Sequence, residues 1–315
     1  MATDMTKQPV IRVKNLVKKF GTFVADDHLT FEVWPGEIFG FLGANGAGKT
    51  TAIRMICGLL EPTSGELQVA GFDGYRQREQ IKRNIGYMSQ KFSLYEDLTV
   101  YENIRLFAGI YGISRVERKE KTNRLLEKLE MESVRNKLVA GLPLGWKQKL
   151  SFSLAVFHNP TIVFLDEPSG GVDPLTRRKF WDMIYEEAAK GTTIFVTTHY
   201  MDEAEYCGRV GLMVDGQLVA LDTPAELKRA YVPGVLYVVR GRALSIIALR
   251  SLPGVWAVEP FGSGLHVRGD PMVLRDHDIL AALLDSGALQ PTVEVISPTL
   301  EDVFLAVAGA APGAS

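Results

Sequence analysis

Three short runs in this chain are almost wholly apolar or β-branched instead of alternating with polar residues: Ile38-Phe-Gly-Phe-Leu42, Thr161-Ile-Val-Phe-Leu165 and Thr193-Ile-Phe-Val-Thr197. Such runs are the pattern of strands covered on both faces, as in a parallel sheet flanked by helices. Elsewhere the period lengthens. Thr99-Val-Tyr-Glu102 and Ser114-Arg-Val-Glu117 each set a hydroxyl residue three positions before a glutamate, so a helix is expected to begin at each. Residues 98–158 read as a helical insert, its second helix charged enough to face solvent. Residues 11–33 read as short strands that end in the turn Trp34-Pro-Gly36 and feed the first apolar run. Val210 to Val214, Asp215-Gly216 and Gln217 to Ala220 predict a hairpin with a type I′ turn. Thr223-Pro224 opens a helix expected to close the first domain, residues 9–230.

The pattern then changes. Val235 to Val239, a short helix over 243–250, the pair Val255 to Val258 and Leu265 to Val267, a helix over 272–284 and Thr292 to Ile296 follow in the order βαββαβ. That is the ferredoxin-like arrangement. A last helix is expected to start with Ser297 as N-cap and Pro298 in its first turn. Leu300 to Phe304 read as core packing, and residues 309–315 as a small-residue, disordered tail. The predicted fold class is an α/β core with a helical subdomain, followed by a small α+β domain over 234–308.

Chemistry gathers at the ends of the apolar runs. The first leads into Gly43-Ala-Asn-Gly-Ala-Gly-Lys-Thr50 and then a helix-like segment. Glycines in this spacing let backbone N–H groups turn around phosphates, Lys49 adds a mobile charge, and Thr50 offers a hydroxyl to Mg²⁺. The loop is therefore read as a nucleoside triphosphate site formed by Gly43, Ala44, Asn45, Gly46, Ala47, Gly48, Lys49, Thr50 and Thr51. The second run ends in Asp166-Glu167, where open α/β sheets place ligands. Asp166 is assigned toward the Mg²⁺ shell and Glu167 toward the attacking water. The third run delivers His199, placed to contact a γ-phosphate. His28, His158, His266 and His277 lack that placement and read as surface or hydrogen-bonded structural residues.

Composition narrows the setting. Apolar residues make up 46% and charged residues 23%, ordinary for a globular chain, and the 315 residues suggest about two domains. A net charge of −2 argues against nucleic acid as a partner. No run of about 18 apolar residues is present, and the polar start has no secretory h-region, so a cytosolic location is expected. Cys57 and Cys207 read as inert buried residues.

Taken in order, these motifs resemble the ATP-binding subunit of an ABC transporter, over about residues 11–304. Phe20 is similar to the aromatic that stacks on adenine in that family. Gln90 looks like the glutamine that touches Mg²⁺ and senses the membrane subunit. Ser169-Gly-Gly-Val-Asp173 resembles the loop that communicates across the dimer, and His199 matches the family's switch histidine. Thr198-His-Tyr-Met-Asp-Glu-Ala-Glu205 and Ser297-Pro-Thr-Leu-Glu-Asp-Val-Phe304 look like the ABC-2 exporter branch. The resemblance implies bound ATP and Mg²⁺, a second ATPase subunit and a separate ABC-2 type permease. It places the chain on the inner face of the cell membrane through that permease.

One motif departs from the family pattern. The signature loop aligns with Leu142-Pro-Leu-Gly-Trp146, which keeps only the Leu and the second Gly. The resemblance makes Pro143 and Gly145 the residues facing a partner's nucleotide. Pro143 has neither hydroxyl nor N–H, and Leu144 cannot readily take a positive φ, so an altered approach to phosphate is expected. Symmetric two-site catalysis is thereby in question. A weakly hydrolysing regulatory subunit or a non-transport ABC ATPase stays open, although intact Lys49, Glu167 and His199 oppose the former.

Overall fold

The computed structural model describes residues 8–91 and 94–310. The chain divides into two compact units at Thr223/Pro224. In the first, β1 (Ile11–Phe20) and β2 (Phe23–Val33) form a long antiparallel pair, followed by β3 (Ile38–Gly43), α1 (Lys49–Ile56), β4 (Ser64–Val69), β5 (Phe72–Asp73), α2 (Arg78–Asn84) and β6 (Ile85–Met88). Then come α3 (Val100–Ile110), α4 (Arg115–Lys128) and α5 (Leu144–Ala155), followed by β7 (Ile162–Asp166), α6 (Pro174–Ala189), β8 (Thr193–Thr198), α7 (Met201–Ala204), β9 (Arg209–Val214) and β10 (Gln217–Asp222).

Two sheets result. One has the order β2-β1-β4-β5; the other is β10-β9-β3-β8-β7-β6, parallel except for its edge strand β10. Strands β3, β7 and β8, the three apolar runs, are buried at every residue. Phe31, Phe39, Phe41, Phe164 and Phe195 pack their rings at centroid separations of 5.2 to 6.2 Å in the core. Register matters more for function than the packing does. Leu42 pairs with Thr198, Asp166 with Thr197 and Met88 with Leu165. Four parallel strands thus release the segments bearing Lys49, Gln90, Glu167 and His199 at one edge.

The helical insert has a core of its own, built on Val100, Ile104, Leu126, Met131, Leu150 and Leu154. Both expected starts are present. Thr99 and Glu102 bond reciprocally in a full capping box, and Ser114 caps α4 by accepting from the Glu117 amide. The type I′ hairpin turn carries φ of 46° at Asp215 and 79° at Gly216.

The second unit contains α8 (Pro224–Tyr231), β11 (Val235–Arg242), α9 (Ile246–Arg250), β12 (Val255–Phe261), β13 (Gly264–Gly269), α10 (Asp276–Asp285), β14 (Leu289–Ile296) and α11 (Leu300–Ala310). Its sheet order, β12-β13-β11-β14 with every neighbour antiparallel, is the ferredoxin-like arrangement. The helix at Pro224 is grouped with this unit because α8 packs against α11. Nor does α11 start as the sequence pattern suggests. Its cap is Thr299, whose hydroxyl accepts from the Asp302 amide while the Asp302 carboxylate accepts from the Thr299 amide. That reciprocal pair, three residues apart, outcompetes Ser297 and leaves Pro298 ahead of the helix. Of the tail, Gly309 and Ala310 belong to α11, and residues 311–315 lie outside the described residues.

Candidate active site

Strand β3 ends at Gly43, and the chain returns as α1 after a tight loop. The loop closes on Gly48, which takes a φ of 102°; a Cβ there would stand 2.4 Å from Asp26 Oδ1 and 2.8 Å from the Ala25 carbonyl oxygen. Only glycine satisfies both demands. No side chain caps α1 and no acidic residue occupies its first turn, so its amide end offers positive potential to an anion. Lys49, 4% exposed, donates to the carbonyls of Gly43 at 2.8 Å and Ala44 at 3.0 Å. Burial lowers its pKa, opposed by the Glu167 and Asp166 carboxylates.

Asp166 ends β7. Its Oδ1 accepts from Thr197 Oγ1 at 2.7 Å and from Thr50 Oγ1 at 3.3 Å. Burial raises its pKa while the two hydroxyls pull it down. Glu167, next in the chain, takes a φ of 49°, and its amide donates to both the carbonyl and the hydroxyl of Thr197 at 3.1 Å. A left-handed non-glycine residue stores strain of roughly 1–3 kcal/mol, which these bonds offset while turning the side chain into the cleft. There Glu167 Oε2 accepts from Gln90 Nε2 at 2.9 Å, and Oε1 lies 3.6 Å from Lys49 Nζ. His199 Nδ1 stands 3.3 Å from Oε2 without hydrogen-bond alignment. One carboxylate therefore faces three of the polar groups expected from sequence. The cleft holds about 460 Å³ and is lined by Phe23, Ala25, Asn45, Gly46, Gly48, Lys49, Thr50, Thr51, Gln90 and Glu167.

The match to known proteins is consistent with this geometry. Residues 27–170 fit the family model described as ABC transporter. The "Probable multidrug ABC transporter ATP-binding protein YbhF" of Escherichia coli is 51% identical over 221 residues; the match takes in 70% of this chain and 38% of that protein. The Nod factor export ATP-binding protein I of Cupriavidus metallidurans is 33% identical over 304 residues, 95% of this chain and 97% of that one. The chain belongs to the ABC transporter family. Among solved structures, an ATP-binding subunit of an ABC transporter superposes with a TM-score of 0.63 at 32% identity, over 70% of this chain and 92% of that one. A dimeric post-hydrolysis cassette bound to ADP and Pi superposes with a TM-score of 0.62 at 26% identity, over 68% and 98%.

Within this member of the ABC transporter family, not every residue expected from sequence reaches the cleft. Phe20 is half exposed and absent from the lining, with Lys18 Nζ 5.1 Å from its ring centre. Phe23 takes the wall instead, directly across the β1–β2 turn from Phe20. Pro143 caps α5 and Gly145 lies in its first turn, where the position of a Cβ would meet Thr176 Cγ2 at 2.9 Å. No residue from 143 to 146 has a positive φ, because α5 begins at Leu144. The demand for a left-handed Leu144 therefore does not arise in this chain. Leu144 rests on Gly171, and Trp146 packs against the core of the helical insert.

Sequence reasoning missed Phe23, Asp26 and Thr197. The pair of phenylalanines in Phe20-Gly-Thr-Phe23 was the available signal for the first. The histidines outside the site are structural or exposed: His158 bonds the Ile85 carbonyl and stacks on Tyr111, His266 pairs with Asp302, and His28 and His277 face solvent. Cys57 and Cys207 are buried, and burial pushes both thiols up.

A Mg²⁺ ion suits the donors at the cleft floor. The Thr50 hydroxyl and the Asp166 carboxylate already converge, and the Gln90 amide stands nearby on Glu167, an oxygen-rich set with few charges. Hard cations that keep several waters and bind phosphate oxygens need little more from the protein.

Proposed function

We propose that this chain is the ATP-hydrolysing subunit of an ABC-2 type export transporter. The observation that carries the reading is the placement of the Glu167 carboxylate beside Lys49, Gln90 and His199, at the mouth of a phosphate loop. The phosphates of ATP sit on the loop amides and on Lys49, and the adenine stacks at the β1–β2 tip on Phe23 or Phe20. Thr50, Asp166 and Gln90 hold Mg²⁺, which neutralises phosphate charge when bound. Glu167 takes a proton as a water oxygen bonds to the γ-phosphorus and the bond to the β–γ bridging oxygen breaks. His199 contacts the γ-phosphate.

Export is proposed from the relatives' names, since the chain spans 38% of the YbhF relative's length but nearly all of the Nod factor export protein's. No helix among the described residues is long and apolar enough to cross a membrane, so a separate permease supplies the pore in this reading. Two such subunits close over ATP, attached to the permease on the cytoplasmic face. The Glu167→Gln variant tests the assignment. It keeps size and hydrogen bonding but removes the base, so turnover is expected to drop by about two to four decades while ATP still binds. Turnover within a factor of about two of wild type would refute it.

A further inference from the structure

Glu203 is 0% exposed, in the short helix α7, and faces none of the cleft. A carboxylate without water is costly unless its oxygens are occupied, and both of these are. Oε1 accepts from the Ser169 hydroxyl and Oε2 from the Thr198 hydroxyl at 2.7 Å. Arg177 of α6 brings its Nε to 3.3 Å from Oε1, its Nη1 bonds Asp202, and its guanidinium lies 4.2 Å from the Tyr200 ring centre. Burial pushes the Glu203 pKa up; the two hydroxyls and Arg177 pull it down.

The partners matter because of where they stand in the chain. Ser169 lies two residues after Glu167, and Thr198 immediately precedes His199. Tyr200 is tied in twice: its amide donates to Thr198 Oγ1 at 2.9 Å, and its ring centre stands 4.1 Å from that of His199. We infer that Glu203 is a positioning residue for ATP hydrolysis: one buried carboxylate ties the loop after Glu167 to the strand end before His199, holding base and imidazole at a fixed separation. The inference rests on the roles given to Glu167 and His199 above. Through Ser169 it also reaches the segment up to Asp173, which caps α6, so a shift of that segment would be felt at the base. Networks of this kind hold catalytic groups to within fractions of an ångström, and misplacement by about 1 Å costs on the order of a hundredfold in rate.

The test is steady-state ATPase kinetics with Mg-ATP on the full chain, with ATP affinity and thermal midpoint measured separately. Glu203→Ala is expected to lower kcat by about 10- to 100-fold with ATP affinity held within about threefold, the split that marks a lost positioning contact. Glu203→Gln, which keeps one acceptor oxygen, should restore part of that loss. Should Glu203→Ala not fold, Ser169→Ala and Thr198→Val decide: each lowers kcat by about fivefold, and the double variant falls short of the product of the two because both act through one carboxylate. Folded Ser169→Ala and Thr198→Val with wild-type kcat, beside an inactive Glu167→Gln, would overturn the inference and leave the site assignment standing. A parallel fall in midpoint, affinity and kcat without recovery in Glu203→Gln would also overturn it, as the mark of a merely structural carboxylate. Activity retained in Glu167→Gln would remove the assignment on which it rests.

Discussion

Lys49 Nζ and Glu167 Oε1 lie 3.6 Å apart, with 4% and 10% of the two side chains exposed. In the proposed mechanism the cation that would receive phosphate and the carboxylate that would take the proton are thus neighbours, in a site nearly out of water where charges act strongly on each other. On that reading, a phosphate entering the loop would compete with Glu167 for Lys49 and leave the carboxylate to face water.

Replacing Lys49 by Ala removes the point charge from the loop and leaves Glu167 and Asp166 without a cation between them. Loss of a charge-assisted contact of roughly 1.5–3 kcal/mol corresponds to about 10- to 150-fold weaker ATP binding. Equilibrium titration with ATP checks this, and undiminished affinity would count against the phosphate site.

Asp26 stands behind the loop, fully buried, with neither carboxylate oxygen hydrogen-bonded, and burial pushes its pKa up to about 7. Its folded-state pKa lies above the unfolded value near 4, so the folded chain binds the proton more tightly. Stability therefore falls as pH rises through roughly 4 to 7 and levels off above that window. Asp26→Asn removes the titration. The variant is expected to gain on wild type by about 2–4 kcal/mol between pH 4 and pH 8. Denaturant midpoints at the two pH values measure it, and an equal gap at both would show that Asp26 does not titrate in the fold.

Thr197 serves two masters in the site: its hydroxyl donates to Asp166 and accepts from the Glu167 amide. Thr197→Val keeps the shape and deletes both bonds, with an expected destabilisation of about 1–3 kcal/mol and a fall in kcat as Glu167 loses part of its support. Thr197→Ser should recover both. Wild-type stability and kcat in the Val variant would mean that the strand carbonyl alone holds Glu167.

Much of this site was legible because its residues end apolar runs. A strand buried on both faces releases its next residues at the sheet edge, so the glycine loop, Asp166-Glu167 and His199 could be placed together before any contact was known. What escaped depends on pairings that no local pattern carries. Thr197 reaches Asp166 from a neighbouring strand, and Phe23 reaches the cleft only because the β1–β2 turn presents it ahead of Phe20. Glu203 looks like any surface glutamate of a short helix until Ser169 and Thr198 close on it. The cap of α11 was misplaced for a local reason, since Thr299 and Asp302 form a reciprocal pair that Ser297 cannot match. The grouping of α8 with the second unit rests on α11, far along the chain, and the helix signal at Pro224 says nothing of it.

The Leu142–Trp146 segment supplies the last prediction. Here α5 starts at Leu144 with Pro143 as its cap, so the segment presents a helix end without a hydroxyl, while Leu144 leans on Gly171. If this loop closes on a partner's nucleotide, as the family resemblance implies, it does so with one hydroxyl and one amide fewer. Each missing contact to the transferring phosphate is worth roughly 1.5–3 kcal/mol, or about one to two decades of rate if felt only in the transition state. Homodimers of this chain are therefore expected to hydrolyse ATP slowly, and a partner bearing Ser and Gly at these positions to restore one site. The Pro143→Ser variant, which restores both the hydroxyl and the amide, should raise the turnover of the isolated chain by about tenfold or more. The decisive measurement is ATPase rate against protein concentration for both forms. Fast wild-type turnover that depends on dimerisation, with no gain in the variant, would mean that the backbone at the start of α5 is enough to approach the phosphate and that this departure from the family pattern has no catalytic consequence.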